Sequence, residues 1–371
     1  MAALKLLFLV TEDWYFVSHR LPLAVAAREA GYEVAVATRI REKAEAIESA
    51  GIRVIPFEMD RRSMNPLREL PTLFRLWRLY RRERPDIVHL VALKPVLLGG
   101  LVARLAGVGG VVAAVAGLGF LFSGEGRAPL VARLLTWLLP YLIGEGRVIA
   151  QNPEDAAMLD RCGIPATHIR LIRGAGVDTA WSIPLPEHHD TPLVVLPARL
   201  LRDKGVAEFV AAARLLRQRG VQARFALVGA PDPANPACVS EAELRAWAAE
   251  GAVEYWGHRE DMREVYAACQ VVCLPSYREG LPKSLLEAAA AGRPIVTTDV
   301  PGCREVVRHE DNGLLVPARD VAALADALAR LIADPALRAR MGQRGRERAV
   351  AEFSNERVIG ETLEVYRELL Q

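Results

Sequence analysis

The chain has 371 residues, of which 51% are hydrophobic and 25% are charged. These values are typical of globular proteins and exclude a disordered or collagen-like chain. Lysine and arginine number 47 against 45 for aspartate and glutamate, and the resulting net charge of +2 gives no overall attraction to nucleic acid. At roughly 100–200 residues per domain, the length predicts about two domains. The near-neutral charge predicts a protein without a nucleic-acid partner.

The cysteines do not form a recognisable framework. Their number is odd and none belongs to a C-x-x-C pair, which argues against disulfides or a zinc site and favours a reducing cytosol; they are Cys162, Cys238, Cys269, Cys273 and Cys303. The apolar stretch Met1–Val10 is too short for a signal peptide. Glycines interrupt Val96–Phe122, so we expect a helix followed by a strand there and not a membrane span.

The first half of the chain alternates short apolar runs with helical patterns. The predicted strands are Leu4–Val10, Glu33–Thr38, Arg53–Phe57, Asp86–Leu90 and Gly110–Ala116. The predicted helices between them are Val17–Ala30, Arg41–Ala50, Pro66–Arg84 and Pro95–Ala106. Strands rich in Val, Leu and Ile that alternate with helices are typical of a parallel sheet covered on both faces.

A second series follows a break at Ile183–Pro192, whose three prolines predict a linker. Its predicted strands are Val194–Pro197, Arg224–Val228, Ala252–Trp256, Val271–Leu274 and Pro294–Thr297, and the chain ends in an amphipathic helix, Asn355–Leu370.

These patterns predict an α/β fold with two doubly wound, Rossmann-like domains that face each other across a cleft. We place the first domain at 1–178, the linker at 179–192, the second domain at 193–352, and at 353–371 a C-terminal helix that returns to the first domain. Ligands are expected beyond the carboxyl ends of the strands, in the cleft.

The segment Val271–Gly302 carries two carboxylates at the end of a strand. Glu279 lies in the strand–helix loop, and Glu287 lies in the first turns of the helix. Two interpretations are open for Glu287, because Ser284-x-x-Glu287 also matches a capping box that would only begin the helix. Glu279, likewise, is either a ligand-binding residue or a solvated loop acid.

The surroundings of these carboxylates favour a ligand. Gly280 allows the backbone to approach a bound molecule closely. Pro282 and Ser284 place a helix N-terminus at a strand end, which is a ready site for an anion, and Lys283 adds a cation there.

A second basic loop, Pro197–Gly205, follows the first strand of the second series and carries Arg199 and Lys204. A phosphate bound beyond that strand would meet both cations, although an exposed position at a helix start is the alternative for Lys204. The sequence contains no G-x-x-x-x-G-K-[ST] and no G-x-G-x-x-G after the first strand, which argues against a P-loop NTPase and a dinucleotide oxidoreductase.

Taken in order, these motifs resemble the family of retaining glycosyltransferases with the GT-B fold that is called family 4. The resemblance spans nearly the whole chain. It rests on the E-x7-E pattern Glu279…Glu287, the ARLLRDKG loop, Gly174–Asp178 and Trp256–Met262. The stretches FVSHRLPLAVAAREAGYEV, HLVALKPVLLGGLVARLAG and AGLGFLFS are similar to a bacterial subgroup. That subgroup adds hexose or N-acetylhexosamine units to polyprenyl-diphosphate-linked saccharides in surface-polysaccharide or glycan assembly.

The resemblance implies a role for each donor-side residue. Arg199 and Lys204 would neutralise the donor diphosphate, Glu279 would lie beside the transferred sugar, and Glu287 would bind the ribose hydroxyls. Backbone groups of the loop would hold sugar and phosphate, namely Gly280, Leu281, Pro282, Lys283 and Ser284. The nucleobase, which the resemblance to the subgroup implies is uracil, would lie against Gly257, His258 and Arg259.

The chemistry of the leaving group is consistent with an enzyme that needs no metal and no cofactor. A leaving diphosphate can be stabilised by cations and helix-terminal N–H groups, and the sequence has no Asp-x-Asp metal motif.

The first domain departs from the common pattern of the family in two places. Thr11–Trp14 stands where many relatives carry a glycine pair, and Ala116–Gly119 stands where many carry a histidine. The acceptor contacts must therefore differ in detail. We take as acceptor candidates Glu12, Asp13, His19 and Lys94, although a surface position on a helix is the alternative for His19.

The stretch Arg61–Arg84 contains eight arginines and two glutamates beside a helical stripe of Leu67, Leu70, Phe74 and Trp77. A basic amphipathic helix with aromatic residues suits an anionic membrane surface. We therefore predict a cytoplasmic protein, peripheral on the inner face of the cell membrane, with lipid contacts at Arg75, Trp77, Arg78, Arg81 and Arg82. The alternative is an ordinary helix that turns this stripe to the core. Ala128–Ile143 would add apolar contact without spanning.

Two rival functions remain open from the sequence. A GT-B-fold epimerase would act on a UDP-sugar without a saccharide acceptor, but the ARLLRDKG and E-x7-E loops follow the transferase pattern. A degenerate scaffold subunit of a glycosyltransferase complex would be expected to lose the donor loops, which are present here.

Overall fold

The computed structural model describes residues 3–60, 66–115, 137–187, 191–233 and 235–371. The chain divides into two compact units. Unit 1 comprises Met1–Ala175 and Asn355–Gln371, and unit 2 comprises Gly176–Ser354. Several predictions fall outside the described residues, wholly or in part: the region Ala116–Gly119 with the ends of Gly110–Ala116 and Val96–Phe122, most of Ala128–Ile143, the start of Arg61–Arg84, and 188–190 of the predicted linker.

Each unit is built on one parallel sheet. The sheet of unit 1 has the order β3-β2-β1-β4-β5-β6-β7 and that of unit 2 the order β10-β9-β8-β11-β12-β13. The strands of unit 1 are β1 (Lys5–Glu12), β2 (Glu33–Arg39), β3 (Arg53–Pro56), β4 (Ile87–Val91), β5 (Gly110–Ala114), β6 (Arg147–Ala150) and β7 (Ile169–Leu171). Those of unit 2 are β8 (Leu193–Pro197), β9 (Arg224–Val228), β10 (Glu254–Gly257), β11 (Val271–Leu274), β12 (Ile295–Thr298) and β13 (Gly313–Val316).

The helices connect these strands on both faces of the sheets. The first six are α1 (Asp13–His19), α2 (Leu21–Glu29), α3 (Ala44–Ser49), α4 (Pro66–Glu83), α5 (Leu93–Ala106) and α6 (Pro153–Arg161). The others are α7 (Val206–Gln218), α8 (Glu241–Ala249), α9 (Met262–Ala268), α10 (Lys283–Ala290), α11 (Cys303–Val306), α12 (Val321–Ala333), α13 (Pro335–Glu352) and α14 (Asn355–Glu368). A further helical segment covers 137–143.

The central strands are buried because helices cover both faces of each sheet. In unit 1, α1, α2, α3 and α14 pack on one face, while α4, α5, the segment 137–143 and α6 pack on the other. In unit 2, α7, α8 and α12 cover one face, and α9, α10 and α11 cover the other. Apolar strands with both faces covered are the arrangement that the composition of the strands predicts.

The two sheets share a feature that determines where ligands bind. In unit 1 the strand order reverses between β1 and β4, and in unit 2 it reverses between β8 and β11. Loops at the carboxyl ends of such neighbouring strands diverge to opposite faces, and the crevice between them is the usual binding site of doubly wound sheets. We call these two places switch point 1 and switch point 2.

The α/β prediction of two doubly wound domains is confirmed, with local errors. The predicted helix Val17–Ala30 is wrong, because two helices, α1 and α2, meet at Arg20, and α1 already begins at Asp13. Pro22 explains the break, since proline is tolerated in the first turn of a helix but not inside one. The short strands β6, β7 and β13 were not predicted.

The described part of the predicted linker is held by arginines of unit 2. Arg346 donates hydrogen bonds to the carbonyl oxygens of Ser182 at 2.6 Å and of Thr179 at 2.8 Å. Arg338 donates to the Glu187 carboxylate at 2.8 Å. These contacts make 179–187 part of unit 2, while α14 belongs to unit 1.

Candidate functional site

Switch point 2 brings together the two loops that the sequence singles out. Strands β8 and β11 are neighbours in the sheet, and each is followed by a loop beyond its carboxyl end. The β8 loop contains Arg199 and Lys204, and the β11 loop contains Glu279 and leads into α10. Lys204 and Glu279, which are 75 positions apart in the sequence, therefore meet at one edge of the sheet.

Glycines allow the loops of switch point 2 to pack closely. Gly205 has a φ of +69°, and a Cβ at this position would collide with the carbonyl of Pro275. Gly302, with a φ of +79°, lies in the same way against the carbonyl groups of Glu279 and Gly280. Both positions combine a left-handed backbone with a close approach, so only glycine fits without a shift of the loop.

The central contact of the site is an ion pair between the two loops. Lys204 Nζ lies 2.6 Å from Glu279 Oε1, and both side chains are mostly buried, with 17% and 11% exposed. Two hydrogen bonds fix the loops around this pair. The Tyr277 N–H donates to the Asp203 carbonyl at 2.8 Å, and Ser276 Oγ donates to the same oxygen at 3.0 Å. The structure thus holds a cation and a carboxylate side by side at the end of β8 and β11.

Arg199 belongs to the same edge but has a different partner. Its guanidinium lies 3.0 Å from Asp232 in the loop after β9 and is partly exposed. Two cations of the β8 loop thus have different partners: Lys204 pairs with Glu279 of the β11 loop, and Arg199 pairs with Asp232 of the β9 loop. Asp232 was not singled out in the sequence, where nothing distinguishes it from a loop acid.

Glu287 is positioned by α9 and not by a capping box. Helix α10 begins at Lys283 with Pro282 as its N-cap, and in the described chain no side chain caps this end. The capping-box interpretation is therefore wrong. Instead, the Tyr266 hydroxyl donates to Glu287 Oε2 at 3.1 Å, and Lys283 Nζ lies 3.6 Å from Glu287 Oε1.

The environment of Glu287 changes its acidity. Burial raises the pKa of this carboxyl, and the Lys283 ammonium and the Tyr266 hydrogen bond oppose the effect. Because water competes little at a mostly buried carboxyl group, a hydroxyl that donates to it is bound strongly. Glu287 is therefore suited to a ligand with hydroxyl groups.

The start of α10 supplies backbone donors beside these side chains. The first N–H groups of an α-helix have no partner within the helix and attract anions. The loop and first turn are the predicted set Gly280, Leu281, Pro282, Lys283 and Ser284, in which every residue except Pro282 has a backbone N–H group. Switch point 2 thus offers cations and helix N–H groups to a phosphate, and a carboxylate to a hydroxyl.

The predicted nucleobase residues lie at the same carboxyl edge. Strand β10 ends at Gly257, which has a φ of +68°, and His258 and Arg259 follow it on the surface. The Arg259 guanidinium lies 5.7 Å from the ring centroid of Trp256, whose indole N–H donates to Glu254 at 2.8 Å. A fixed aromatic ring with an arginine over it is a suitable wall for a flat base.

At switch point 1 the predicted acidic residues Glu12 and Asp13 already bind arginines and backbone N–H groups of unit 1. Glu12, whose side chain is only 4% exposed, lies 3.4 Å from Arg39 Nη1 and 3.6 Å from Arg41 Nε. Asp13 is fully buried, and its carboxylate accepts the N–H groups of Trp14, Arg41 and Lys43 at 2.6–3.0 Å. Asp13 therefore holds the 41–43 loop in place.

The other two acceptor candidates are also engaged. Lys94, in the first turn of α5, pairs with Glu69 at 2.7 Å and donates to the carbonyl of Asp60. The imidazole of His19 stacks on Tyr15 with 4.2 Å between the ring centroids. Glu12 is the last residue of β1 and Lys94 follows β4, and because these two strands are neighbours both residues flank switch point 1.

Helix α4 turns its predicted apolar stripe away from the core. Leu67 is 77% exposed and Phe74 58% exposed, and Leu70 and Trp77 are exposed as well. The core contacts come from another side of the helix, which includes Leu76, Leu79 and Tyr80. The alternative in which this stripe faces the core is therefore wrong.

The arginines of α4 lie next to this exposed stripe. Arg75, Arg78, Arg81 and Arg82 are all exposed, and the Arg81 guanidinium lies 5.9 Å from the ring centroid of Trp77.

Within the described residues, no helix is long and apolar enough to cross a membrane, and no cluster of His, Cys, Asp or Glu side chains could hold a metal ion.

Comparison with protein families identifies both halves of the chain. Residues 5–151 match the family described as "Glycosyl transferase 4-like", and residues 191–334 match "Glycosyl transferases group 1". The chain is a glycosyltransferase. The predicted family and the enzyme class, a glycosyltransferase, are thereby confirmed.

Curated relatives align with this glycosyltransferase over most of its length. It is 28% identical over 347 residues to N,N'-diacetylbacillosaminyl-diphospho-undecaprenol alpha-1,3-N-acetylgalactosaminyltransferase of Campylobacter jejuni, covering 89% of this chain and 90% of the relative. It is 29% identical over 383 residues to the putative glycosyltransferase EpsD of Bacillus subtilis, covering 98% and 96%.

Solved structures show the same fold at low sequence identity. A glycosyltransferase from Rickettsia africae matches with a TM-score of 0.80, 16% identity and full coverage of both chains. Anabaena Alr3699/HepE, in complex with UDP and glucose, matches with a TM-score of 0.77 and 18% identity, covering 98% of this chain and 99% of that one. These likenesses confirm the predicted GT-B fold.

Some residues of the site were not found from the sequence. Tyr266 lies inside α9 without any motif to mark it, and Tyr277 and Gly302 lie outside the E-x7-E pattern. Only Gly302, in a Val-Pro-Gly turn after a strand, carries a sequence signal for a special backbone conformation.

Proposed function

We propose that this glycosyltransferase moves a hexose or N-acetylhexosamine from a UDP-sugar to a polyprenyl-diphosphate-linked saccharide, with retention of configuration, in surface-polysaccharide or glycan assembly. The observation that carries the proposal is the group of cations, helix N-terminus and mostly buried Glu287 at switch point 2. The Campylobacter relative supports the acceptor class, since its name specifies a diphospho-undecaprenol-linked substrate. The Anabaena structure, solved with UDP, supports the donor class.

The donor site follows from the charges on the two loops. Lys204 and Arg199 neutralise the diphosphate as it leaves, and the N–H groups of the α10 start share the developing negative charge. Glu279, held beside Lys204 at 2.6 Å, accepts hydrogen bonds from hydroxyls of the transferred sugar. Glu287 binds the ribose, and Gly257, His258 and Arg259 line the base.

Metal independence is part of the proposal, because side-chain cations and a helix terminus can stabilise a leaving diphosphate without a divalent ion. A chelator should leave transfer unchanged. A large loss of activity that Mg²⁺ or Mn²⁺ restores would overturn this part.

The acceptor saccharide is proposed to bind unit 1 at switch point 1. Glu12 and Lys94 flank this place at the ends of β1 and β4, and His19 follows on α1. Asp13 contributes by holding the 41–43 loop. Replacing Lys94 by alanine should raise the KM for the acceptor and leave the affinity for UDP unchanged.

Peripheral membrane binding on the cytoplasmic face is proposed for α4. Its exposed Leu67, Leu70, Phe74 and Trp77 provide apolar contact, and the flanking arginines attract anionic lipid. An acceptor with a polyprenyl chain resides in the bilayer, so a protein that docks there meets its substrate at the surface.

One experiment tests the reaction and the donor together. Purified protein is first screened for thermal stabilisation by UDP-, GDP- and ADP-sugars; a ligand at a hundredfold excess over its Kd stabilises by about 2.7 kcal/mol. The stabilising donor is then incubated with a polyprenyl-diphosphate disaccharide. We expect nucleotide release in step with consumption of the acceptor. Conversion of the sugar without acceptor would indicate an epimerase, and no stabilisation by any donor would indicate a scaffold.

A further inference from the structure

A buried tyrosine outside the sequence motifs contacts the carboxylate assigned to the ribose. Tyr266, in α9, is 1% exposed. Its hydroxyl lies 3.1 Å from Glu287 Oε2 and 3.1 Å from the carbonyl oxygen of Ser284. One phenol therefore reaches both the carboxylate and the first turn of the helix whose N-terminus faces switch point 2.

The chemistry of this contact favours a charged Glu287. Burial raises the pKa of Tyr266, so the phenol keeps its proton at neutral pH and acts as a donor. Burial also opposes ionisation of Glu287, and the Tyr266 hydrogen bond counteracts that effect. A donor to a buried carboxylate both stabilises its charge and restricts its rotation.

The backbone at Tyr266 is held in place by hydrogen bonds from a buried arginine. Arg293, which is 3% exposed, donates from Nε to the Tyr266 carbonyl at 2.6 Å and from Nη2 to the Ala267 carbonyl at 3.2 Å. The same Nη2 donates to the carbonyl of Leu185 at 3.0 Å. The backbone that presents the phenol is thereby fixed to unit 2.

The two oxygens of Glu287 have different surroundings. Oε2 accepts the Tyr266 hydroxyl, whereas Oε1 lies 3.6 Å from Lys283 Nζ, an ion-pair distance that is long for a hydrogen bond. With Oε2 tied to α9, Oε1 is the oxygen placed for an incoming hydroxyl.

We propose that Tyr266 is a positioning residue for nucleotide binding: it anchors Glu287 Oε2 so that Oε1 is presented to the ribose. The inference rests on the proposed ribose role of Glu287. Tyr266 acts before the chemical step, so its effect belongs to the affinity for the nucleotide and not to the rate of transfer.

The test compares Tyr266→Phe with wild type, using UDP as the probe in calorimetry and the donor sugar in kinetics. Loss of one such hydrogen bond should raise the Kd for UDP and the donor KM about 3- to 10-fold, with kcat unchanged. The matched control is Tyr80→Phe, which removes another buried hydroxyl, one without a hydrogen-bond partner among the described residues of unit 1. It should leave the Kd unchanged.

A double-mutant cycle with Glu287→Ala separates the possible outcomes. If Tyr266 acts through Glu287, Tyr266→Phe has no further effect on UDP affinity once Glu287 is alanine. An effect of equal size in both backgrounds would overturn the inference and leave Tyr266 as a support of the α10 start. If Glu287→Ala alone binds UDP as well as wild type, the proposed role of Glu287 itself fails. Thermal unfolding of each variant checks that the fold is retained.

Discussion

The two switch points have the same topology and opposite chemistry. At switch point 2 the loops carry Lys204 and the start of α10, and glycines let them pack closely. At switch point 1 the carboxylates Glu12 and Asp13 are occupied by arginines and backbone N–H groups of their own unit. A doubly wound sheet therefore provides the crevice, and the side chains of the loops decide which ligand it accepts.

The backbone at the two switch points differs as well. At switch point 2 the left-handed positions are glycines, Gly205 and Gly302. At switch point 1, Ala92 has a φ of +77° at the entrance to α5, a conformation that is costly for a residue with a Cβ. The donor loops thus adopt their close packing without strain, whereas switch point 1 retains strain beside Lys94.

The largest expected effect concerns the cation at switch point 2. Lys204→Ala should lower kcat about 100- to 1,000-fold, because a cation that stabilises the leaving diphosphate acts mainly in the transition state. Lys204→Arg should also be impaired, since a planar fork does not replace a compact ammonium. Lys94→Ala at switch point 1 is the matched control and should change only the acceptor KM. Full activity of Lys204→Ala would refute the assignment.

The next effect concerns α4 in unit 1. Reversing Arg75, Arg78 and Arg81 to glutamate should nearly abolish binding to anionic vesicles, since each basic residue near such a surface contributes about 1 kcal/mol. Co-sedimentation at two salt concentrations measures it, and added salt should weaken binding of the wild type. Changing the same three residues to lysine should preserve binding. Equal binding to anionic and neutral vesicles, or none to either, would leave α4 as ordinary structure.

A smaller effect is expected from Glu287→Gln, which should raise the stability of the fold and lower the affinity for UDP. Burial raises the pKa of Glu287, so the folded protein holds this proton more tightly than the unfolded chain. The protonated carboxyl therefore contributes stability that is fully present below pH 4.5. This contribution is lost as the pH rises from 4.5 through the raised pKa and the carboxyl ionises. At pH 7 the variant should melt at a higher temperature than wild type but bind UDP about 5- to 10-fold more weakly. A lower melting temperature with normal UDP affinity would contradict both assignments.

The last effect, on stability and not on activity, tests the close packing of the donor loops. Gly302→Ala should destabilise unit 2 by about 1–3 kcal/mol, because its left-handed backbone and the carbonyl groups of Glu279 and Gly280 leave no room for a Cβ. Gly360→Ala on α14 is the control, since no atom lies within 4 Å of the added Cβ; it should be neutral or slightly stabilising. Thermal unfolding measures both, and equal stability of the two variants would show that the loop tolerates a side chain.

Much of the donor side could be predicted from the sequence because its signals are local. Apolar runs define β8 and β11, and the residues just after them must lie at the carboxyl edge of a parallel sheet. The pairing of Lys204 with Glu279 required the strand order, which the sequence did not provide. Tyr266 was missed for the same reason: its contact with Glu287 depends on how α9 packs on α10.

Unit 1 was harder to predict, and α4 shows why. Helical periodicity detects an apolar stripe, but α4 has two apolar sides, one through Leu67 and Phe74 and another through Leu76 and Tyr80. Which side faces the sheet is decided by tertiary packing. Asp13 is similar, since a polar residue after a strand is either a ligand or a support for a neighbouring loop until its partners are known.

The central claim is that switch point 2, and not switch point 1, binds the donor nucleotide. Hydrogen exchange of the full chain with and without UDP tests it most directly, because exchange is read along the whole backbone. UDP should protect the amides of 198–205, 256–262 and 275–287 and leave those of 12–19 and 92–98 unchanged. Protection confined to the loops after β1 and β4 would contradict the account.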